Sequence, residues 1–286
     1  MNPVISIILP FYNSANTLCE CLDSIIEQSF ADFELLMIDD GSTDQSMEVV
    51  HQYADNRIRI LTNKHDFIGS LNMGIKEAKG KYIARMDADD IMFPHRLQTQ
   101  FDFIESHPDI DVCGSYAESF GEIKAIIQRP VGHVDIISSM LLSNPLMHPT
   151  VMIRLATLQQ SGCLYRYGYP CAEDYKLWTD LALKGCKFAN IAESLLHYRI
   201  SNQQVTRTSQ NEMWISSAKI ALEYAEGIIE QMIDQESQYG DLFNSLVELF
   251  NNELISHEAF MQTVYIVYKD FNNNIFLPLS KGDRNL

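Results

Sequence analysis

Apolar and polar positions alternate along the first hundred residues in a recognisable rhythm. Val4 to Leu9 (VISIIL) is a continuous, β-branched run, which predicts a strand buried on both faces. Thr17 and Glu20 have the spacing of a capping box, and Leu18, Leu22, Ile25 and Ile26 form a helical stripe behind them. Glu34 to Ile38 predicts a second strand, and Ser42 is placed to cap a helix running to about Ala54. Arg57 to Leu61 predicts a third strand. A helix follows from about Ser70 to Lys79, closed by Gly80, and then a fourth strand over Lys81 to Met86. Pro94 suits the first turn of a helix carrying Leu97, Phe101 and Ile104. This β-α-β-α order predicts an α/β fold with an open, mostly parallel, Rossmann-like sheet and helices on both faces.

From about Asp111 the rhythm changes. Short strands (Val112 to Tyr116, Ile123 to Gln128, Thr150 to Ile153) mix with helices near 133–142 and 173–184. From about Thr208 the pattern is helical, with breaks near Gly240 and Asn251. The chain therefore divides into 1–207, with halves 1–115 and 116–207, and a helical region 208–286.

Polar residues fall at particular places in this pattern. Strand one ends in LPFYN (9–13), strand two in IDDGSTD (38–44) and strand four in RMDADD (85–90). An open parallel sheet binds ligands just outside the carboxyl ends of its strands. Three such ends converging on one crevice suggest a site. Asp87, Asp89 and Asp90 crowd into four positions, where like charges repel. A metal ion would relieve that repulsion, and so would a solvated turn.

Charge narrows the choice of ligand. The formal net charge of −17 leaves no basic face for nucleic acid or for an anionic membrane surface. A phosphate-bearing ligand must then meet a local positive charge, and a bound divalent cation is one source. No apolar run is long enough to cross a bilayer, and the N-terminus lacks a basic lead and cleavage site, so the expected location is cytoplasmic. The six cysteines show neither CxxC nor zinc spacing, which predicts free thiols.

The common phosphate motifs are absent. No GxGxxG follows strand one and no GxxxxGK[ST] occurs, which argues against a Rossmann dehydrogenase or a P-loop NTPase. An EF-hand starting at Asp87 would place Met92 where Gly belongs and Gln98 where Glu belongs. The adjacent acids of IDDGST have the wrong spacing for an aspartyl-nucleophile phosphatase.

Taken together, LPFYN, IDDGSTD, GKYIARMDADDIMFPHRL and AEDYKLW resemble the inverting family-two glycosyltransferases with the GT-A fold, over about residues 3–200. NPLMHPTVM (144–152) is similar to enzymes of bacterial O-antigen, capsule and exopolysaccharide synthesis. The resemblance implies that 1–115 binds a nucleotide sugar, with UDP preferred, and that 116–207 serves acceptor and catalysis. Asp87 and Asp89 would hold Mn²⁺ or Mg²⁺ on the diphosphate, Asp89 more directly, while Asp90 orients the loop. His148 matches a position near the metal or diphosphate; a structural histidine beside Pro149 is the equal alternative. Asp174 would be the general base, with Glu173 as its competitor or as an acceptor contact. Pro10, Tyr12 and Asp40, with Asp39 as fallback, would hold the nucleoside. Arg85 and Arg199 are candidates for the diphosphate, or partners of the acidic cluster. Ser201 stands where many relatives carry a histidine.

The acceptor implied is a saccharide, free or linked to a polyprenyl diphosphate. Trp214, Ile215, Ile220, Leu222, Ile228, Ile229 and Met232 give the C-terminal region an apolar face. Packing on the same domain, a peripheral inner-membrane contact and a homodimer interface are its three readings. Two rival functions fit the sequence less well. A sugar-nucleotide nucleotidyltransferase would carry a Gly- and Arg-rich N-terminal loop, which LPFYNSAN lacks. A non-catalytic nucleotide-sugar-binding or scaffold protein would have no need of Asp87, Asp89 and Asp174.

Overall fold

Sheet order explains how the three polar strand ends come together. The computed structural model describes residues 2–201, 209–233 and 238–276. Four strands, β1 (Ile5–Phe11), β2 (Phe33–Asp39), β3 (Ile58–Thr62) and β4 (Tyr82–Arg85), lie side by side in the order β3-β2-β1-β4. All their pairings are parallel. β1, β2 and β4 are buried along their whole length, as continuous apolar runs require when helices cover both faces. The connecting helices are α1 (Leu18–Ile26), α2 (Ser46–Val50) and α3 (Phe67–Glu77).

The second half of the sheet is mixed. β5 (Ile91–Met92) leads into α4 (Arg96–Ser106), then come the hairpin β6 (Val112–Gly121) and β7 (Ala125–Ile127), α5 (His133–Ser139), β8 (Met152–Arg154), α6 (Leu155–Ser161), α7 (Glu173–Leu183) and β9 (Phe188–Ile200). The order continues β4-β8-β6-β9-β5, with β8 antiparallel to both β4 and β6, β9 parallel to β6, and β5 antiparallel to β9. The parallel expectation thus holds for the first half of the sheet. It gives way where the chain turns back to build the second half.

Several local expectations need correction. Thr17 precedes α1 but makes no cap; its hydroxyl donates to the Ala88 carbonyl at 3.0 Å and so pins the acidic loop. Ser42 does not start a helix; the short α2 begins at Ser46, whose N–H meets Asp44 Oδ1 at 2.9 Å. α3 begins three residues early because Asp66 caps it through Gly69 N–H at 3.0 Å. Gly80 lies beyond the helix end, and a Cβ there would stand 2.6 Å from Ser6 N, so close approach to β1 requires glycine. The long strand β9 went unforeseen.

Three C-terminal helices complete the described chain: α8 (Gln210–Ile233), α9 (Gln238–Asn251) and α10 (His257–Phe276). α8 ends at Ile233 and α9 begins at Gln238, so the break expected near Gly240 falls between them, at 234–237, outside the described residues, and the break expected near Asn251 falls at the end of α9. The expected boundary at 207/208 lies outside the described residues. Ile220, Ile228, Ile229 and Met232 of α8 are buried in one apolar cluster with Trp178, Phe243, Phe260 and Val264. Trp214 and Ile215 leave that face, at 73% and 72% exposed. A polar clasp adds to the join: Lys176 Nζ lies 2.9 Å from Glu223 Oε2, which also accepts from Tyr169 Oη at 2.8 Å. All six cysteines are free, with Cys19 exposed and Cys21 buried on opposite sides of α1. Among the described residues no helix is long and apolar enough to cross a membrane.

Candidate active site

The crevice is built from the loops that leave β1, β2 and β4. Asn13 lies in the left-handed region (φ 49°) and laces the first two loops together. Its side-chain oxygen accepts from Thr43 N–H at 2.8 Å, while its own N–H donates to Ser42 Oγ at 3.1 Å. Asp39 accepts from Ser42 N–H at 2.9 Å, a turn-forming role. Asp40 is buried, and one oxygen accepts from Asp66 N–H and Ser70 Oγ, both at 2.8 Å. Its other oxygen stands 3.7 Å from His65 Nδ1. Pro10 is buried within β1 beside Ile38. Tyr12 is exposed, and its ring rests on His65 with centroids 4.1 Å apart. Pro10, Tyr12, Asp39 and Asp40 therefore gather at one corner, as expected. His65 joins them unforeseen, because nothing in the motif spacing marks it.

The RMDADD turn sits at the end of β4. Arg85 is 3% exposed and forms an ion pair with Asp87. One ligand oxygen from each of Asp87, Asp89 and Asp90 lies within 4.8 Å of the others. Burial, then the Asp87 charge, pushes Asp89 up to about 6. Burial likewise drives Asp90 well above the ordinary carboxylate range, with Asp87 and Asp89 adding repulsion. Asp90 Oδ1 accepts the Arg199 N–H at 2.8 Å, yet Oδ2 is buried with no hydrogen-bond partner. Three crowded carboxylates, one with an orphaned oxygen, form a donor set fit for a hard divalent cation.

Arg199 braces the turn rather than standing free. Its Nε donates to the Asp89 carbonyl at 2.7 Å, and its guanidinium pairs with Glu20 at 2.5 Å and covers the Phe120 ring at 4.5 Å. Behind the turn, fully buried Arg96 donates to the Arg85 carbonyl at 2.9 Å and to Gln100 at 3.0 Å. An arginine in a helix reads as a surface residue, so sequence reasoning missed this support.

Across the crevice, Glu173 and Asp174 open α7. Asp174 Oδ2 accepts from Asn144 Nδ2 at 2.7 Å, and Oδ1 accepts its neighbour Tyr175 N–H at 2.7 Å. Burial raises the Asp174 carboxyl above its ordinary value, and these two hydrogen bonds pull against that rise. Burial, then the Asp174 charge, pushes Glu173 up to about 7. The Arg85 charge acts on both acids, and the Asp87 charge reaches Glu173. The two acidic clusters and Arg85 thus lie within electrostatic reach of one another. His148 stands outside the carboxylate cluster: its Nε2 is 2.7 Å from Tyr165 Oη, and burial holds it well below its ordinary value, with the Arg85 cation adding to the effect. The contact with Tyr165 occupies one ring nitrogen of His148. Asn144 lies in the quoted NPLMHPTVM segment, though no role was assigned to it.

The glycosyl transferase family 2 model matches residues 6–164, more than half of the chain. The chain belongs to glycosyltransferase family 2. Within the family it is 34% identical over 236 residues to an uncharacterised glycosyltransferase of Haemophilus influenzae, covering 77% of this chain and 73% of that one. It is also 34% identical over 215 residues to the putative glycosyltransferase EpsE of Bacillus subtilis, covering 72% and 77%. The fold is GT-A. S. aureus TarS 1-349, solved in complex with UDP-GlcNAc, superposes with TM-score 0.66 at 20% identity, over 80% of this chain and 67% of that one. The mannosyltransferase PcManGT of Pyrobaculum calidifontis, solved with GDP-Man and Mn²⁺, superposes with TM-score 0.57 at 15% identity, over 97% and 89%.

Proposed function

We propose that this family-two glycosyltransferase is an inverting hexosyltransferase that moves a sugar from a UDP-sugar to a saccharide hydroxyl. The observation that carries this reading is the pair of acidic clusters, one at the end of β4 and one at the start of α7, both acted on by the Arg85 charge. One is a crowd of carboxylates with an orphaned oxygen; the other holds a carboxylate with amide donors and a raised proton affinity. Asp87 and Asp89, with Asp90 beside them, would hold Mn²⁺ or Mg²⁺. When bound, the cation neutralises charge on the donor diphosphate.

The rest of the chemistry belongs to the chain. Tyr12 and Asp40 hold the nucleoside, with Pro10 and Asp39 shaping that corner, and Arg85 adds a cation near the diphosphate. Asp174 accepts the proton of the acceptor hydroxyl as its oxygen forms the new bond to the anomeric carbon. The bond from that carbon to the diphosphate oxygen breaks, and the nucleoside diphosphate leaves with the electron pair. Attack from the face opposite the diphosphate inverts the anomeric centre, which requires base and diphosphate to lie on opposite sides of the sugar. Asn144 and the Tyr175 N–H aim the Asp174 carboxylate. The likeness of NPLMHPTVM to polysaccharide-synthesising enzymes extends the proposal to a polyprenyl-diphosphate-linked acceptor, met at the inner face of the plasma membrane.

The test is a calorimetric titration of UDP, and of GDP for comparison, with and without Mn²⁺. UDP binding that requires Mn²⁺ and exceeds GDP binding is the expected result. Equal UDP binding with and without metal would remove the role given to Asp87 and Asp89.

A further inference from the structure

Arg129 is the charged group that the reading above does not use. It lies in the segment between β7 and α5, is half-buried, and has its Nε sealed from solvent with no hydrogen-bond partner. Every other described arginine makes a side-chain hydrogen bond or ion pair. The chain carries 38 acidic residues against 21 basic ones, so an unpaired arginine does not reflect a shortage of carboxylates. A buried donor without a partner is destabilising and calls for an explanation.

Its place is fixed. Buried Asn190 on β9 donates from Nδ2 to the Pro130 carbonyl at 2.6 Å and from its backbone N–H to the Val131 carbonyl at 3.0 Å. The same Nδ2 reaches the Pro145 carbonyl at 3.2 Å. Pro145 follows Asn144, the residue that holds Asp174. One side-chain amide therefore ties the Arg129 segment to the segment that aims the base. Burial loosens the hold of Arg129 on its proton, and the nearby Tyr198 and Asp174 act against that effect. Arg129 thus lies within electrostatic reach of Asp174. Asp174 is already taken by Asn144 and Tyr175.

We propose that Arg129 determines specificity by binding a carboxylate or phosphate carried by one of the two saccharides in the site. A guanidinium fork suits either group, because it offers two parallel N–H donors to a planar pair of oxygens. The inference rests on the glycosyl-transfer reading, and it selects an anionic saccharide as the substrate class.

Two binding arms test it, on wild type, Arg129→Gln and Arg129→Lys. The donor arm compares UDP-glucuronate with UDP-glucose in the presence of Mn²⁺. The acceptor arm compares glycerol 1-phosphate and methyl β-glucuronide with neutral methyl β-glucoside, on protein saturated with UDP and Mn²⁺. In one arm, wild type prefers the anionic probe over its neutral counterpart by about ten- to a hundredfold, the worth of a charge-assisted hydrogen-bonded pair. Arg129→Gln abolishes the preference, and Arg129→Lys retains part of it. The responding arm identifies which saccharide bears the anion. Equal binding of anionic and neutral probes by wild type in both arms overturns the proposal, as does a preference that survives Arg129→Gln. Unchanged UDP affinity shows that the variants are folded. If wild type fails to bind UDP with Mn²⁺, the donor-site reading falls instead, and the acceptor arm without nucleotide still decides Arg129.

Discussion

The two acidic clusters contain the same chemical groups and are held in opposite ways. In the RMDADD turn, the carboxylates press on each other, Arg85 pairs with Asp87, and Arg199 braces the backbone. At the start of α7, Asp174 has no ion pair and is held by an amide and a backbone N–H. The first arrangement leaves like charges crowded together, which added positive charge would relieve. The second keeps one carboxylate oriented, and burial raises its proton affinity above the ordinary value. Chemical role follows from the partners of an acid as much as from its identity.

Replacement of each acid should separate the two roles. Asp174→Asn keeps the shape and removes the basic oxygen. Transfer should fall about 10³-fold, within the range for loss of a general base, while Mn²⁺-dependent UDP affinity stays near wild type. Turnover by this variant at the normal rate would move the base to Glu173 or elsewhere. Asp89→Ala should do the reverse, weakening Mn²⁺-dependent UDP binding by a hundredfold or more in calorimetry, on the order of a lost metal ligand. If the two variants gave the same pattern, the distinction between the clusters would fail.

A smaller effect sharpens the comparison at Asn144. Its amide stabilises the ionised form of Asp174, so Asn144→Ala should raise the proton affinity of the base. The rise of kcat with pH should then shift to higher pH, and kcat near neutrality should drop about tenfold, the typical scale for a single hydrogen bond to a charged group. KM for the donor should not change. A loss of kcat with an unmoved pH profile would mean that Asn144 only supports the loop.

The two clusters also differ in how much of them sequence could reveal. The turn after β4 was legible because a buried parallel strand must end at the sheet's carboxyl edge, and three such ends carried polar residues. The second cluster rested on resemblance alone, since acids at a helix start also suit the helix dipole. α7 leads into β9, which pairs with β6 in the mixed half of the sheet, and that half was not legible. A thirteen-residue strand interrupted at Ala192 and Glu193 carries no clean alternation, and its irregular register at Tyr116 belongs to the fold rather than to the local sequence. Arg96, Asn190 and Asn144 were missed for one physical reason. A buried polar residue looks like a surface residue until its partners are known. Trp214 and Ile215 show the converse, since their apolar character predicted burial that α8 does not provide.

The least effect is expected where the second cluster strains the folded state. Glu173 binds its proton up to about pH 7 in the folded chain, against an ordinary value of 4.5. Between those values the folded state retains a proton that the unfolded state has lost. Stability therefore falls as pH rises through this window, and its full benefit is present only below it. Glu173→Gln removes the charge and with it this loss. Without metal or nucleotide, the variant should match wild type at pH 4.5 and melt a few degrees higher at pH 8, at about 2–4 °C per kcal/mol for a chain of this size. A gain of equal size at both pH values would trace the effect to packing. No gain at pH 8 would mean that the Glu173 charge is already relieved in the folded chain, and the contrast between a strained pair at α7 and a cation-seeking turn at β4 would lose its energetic half.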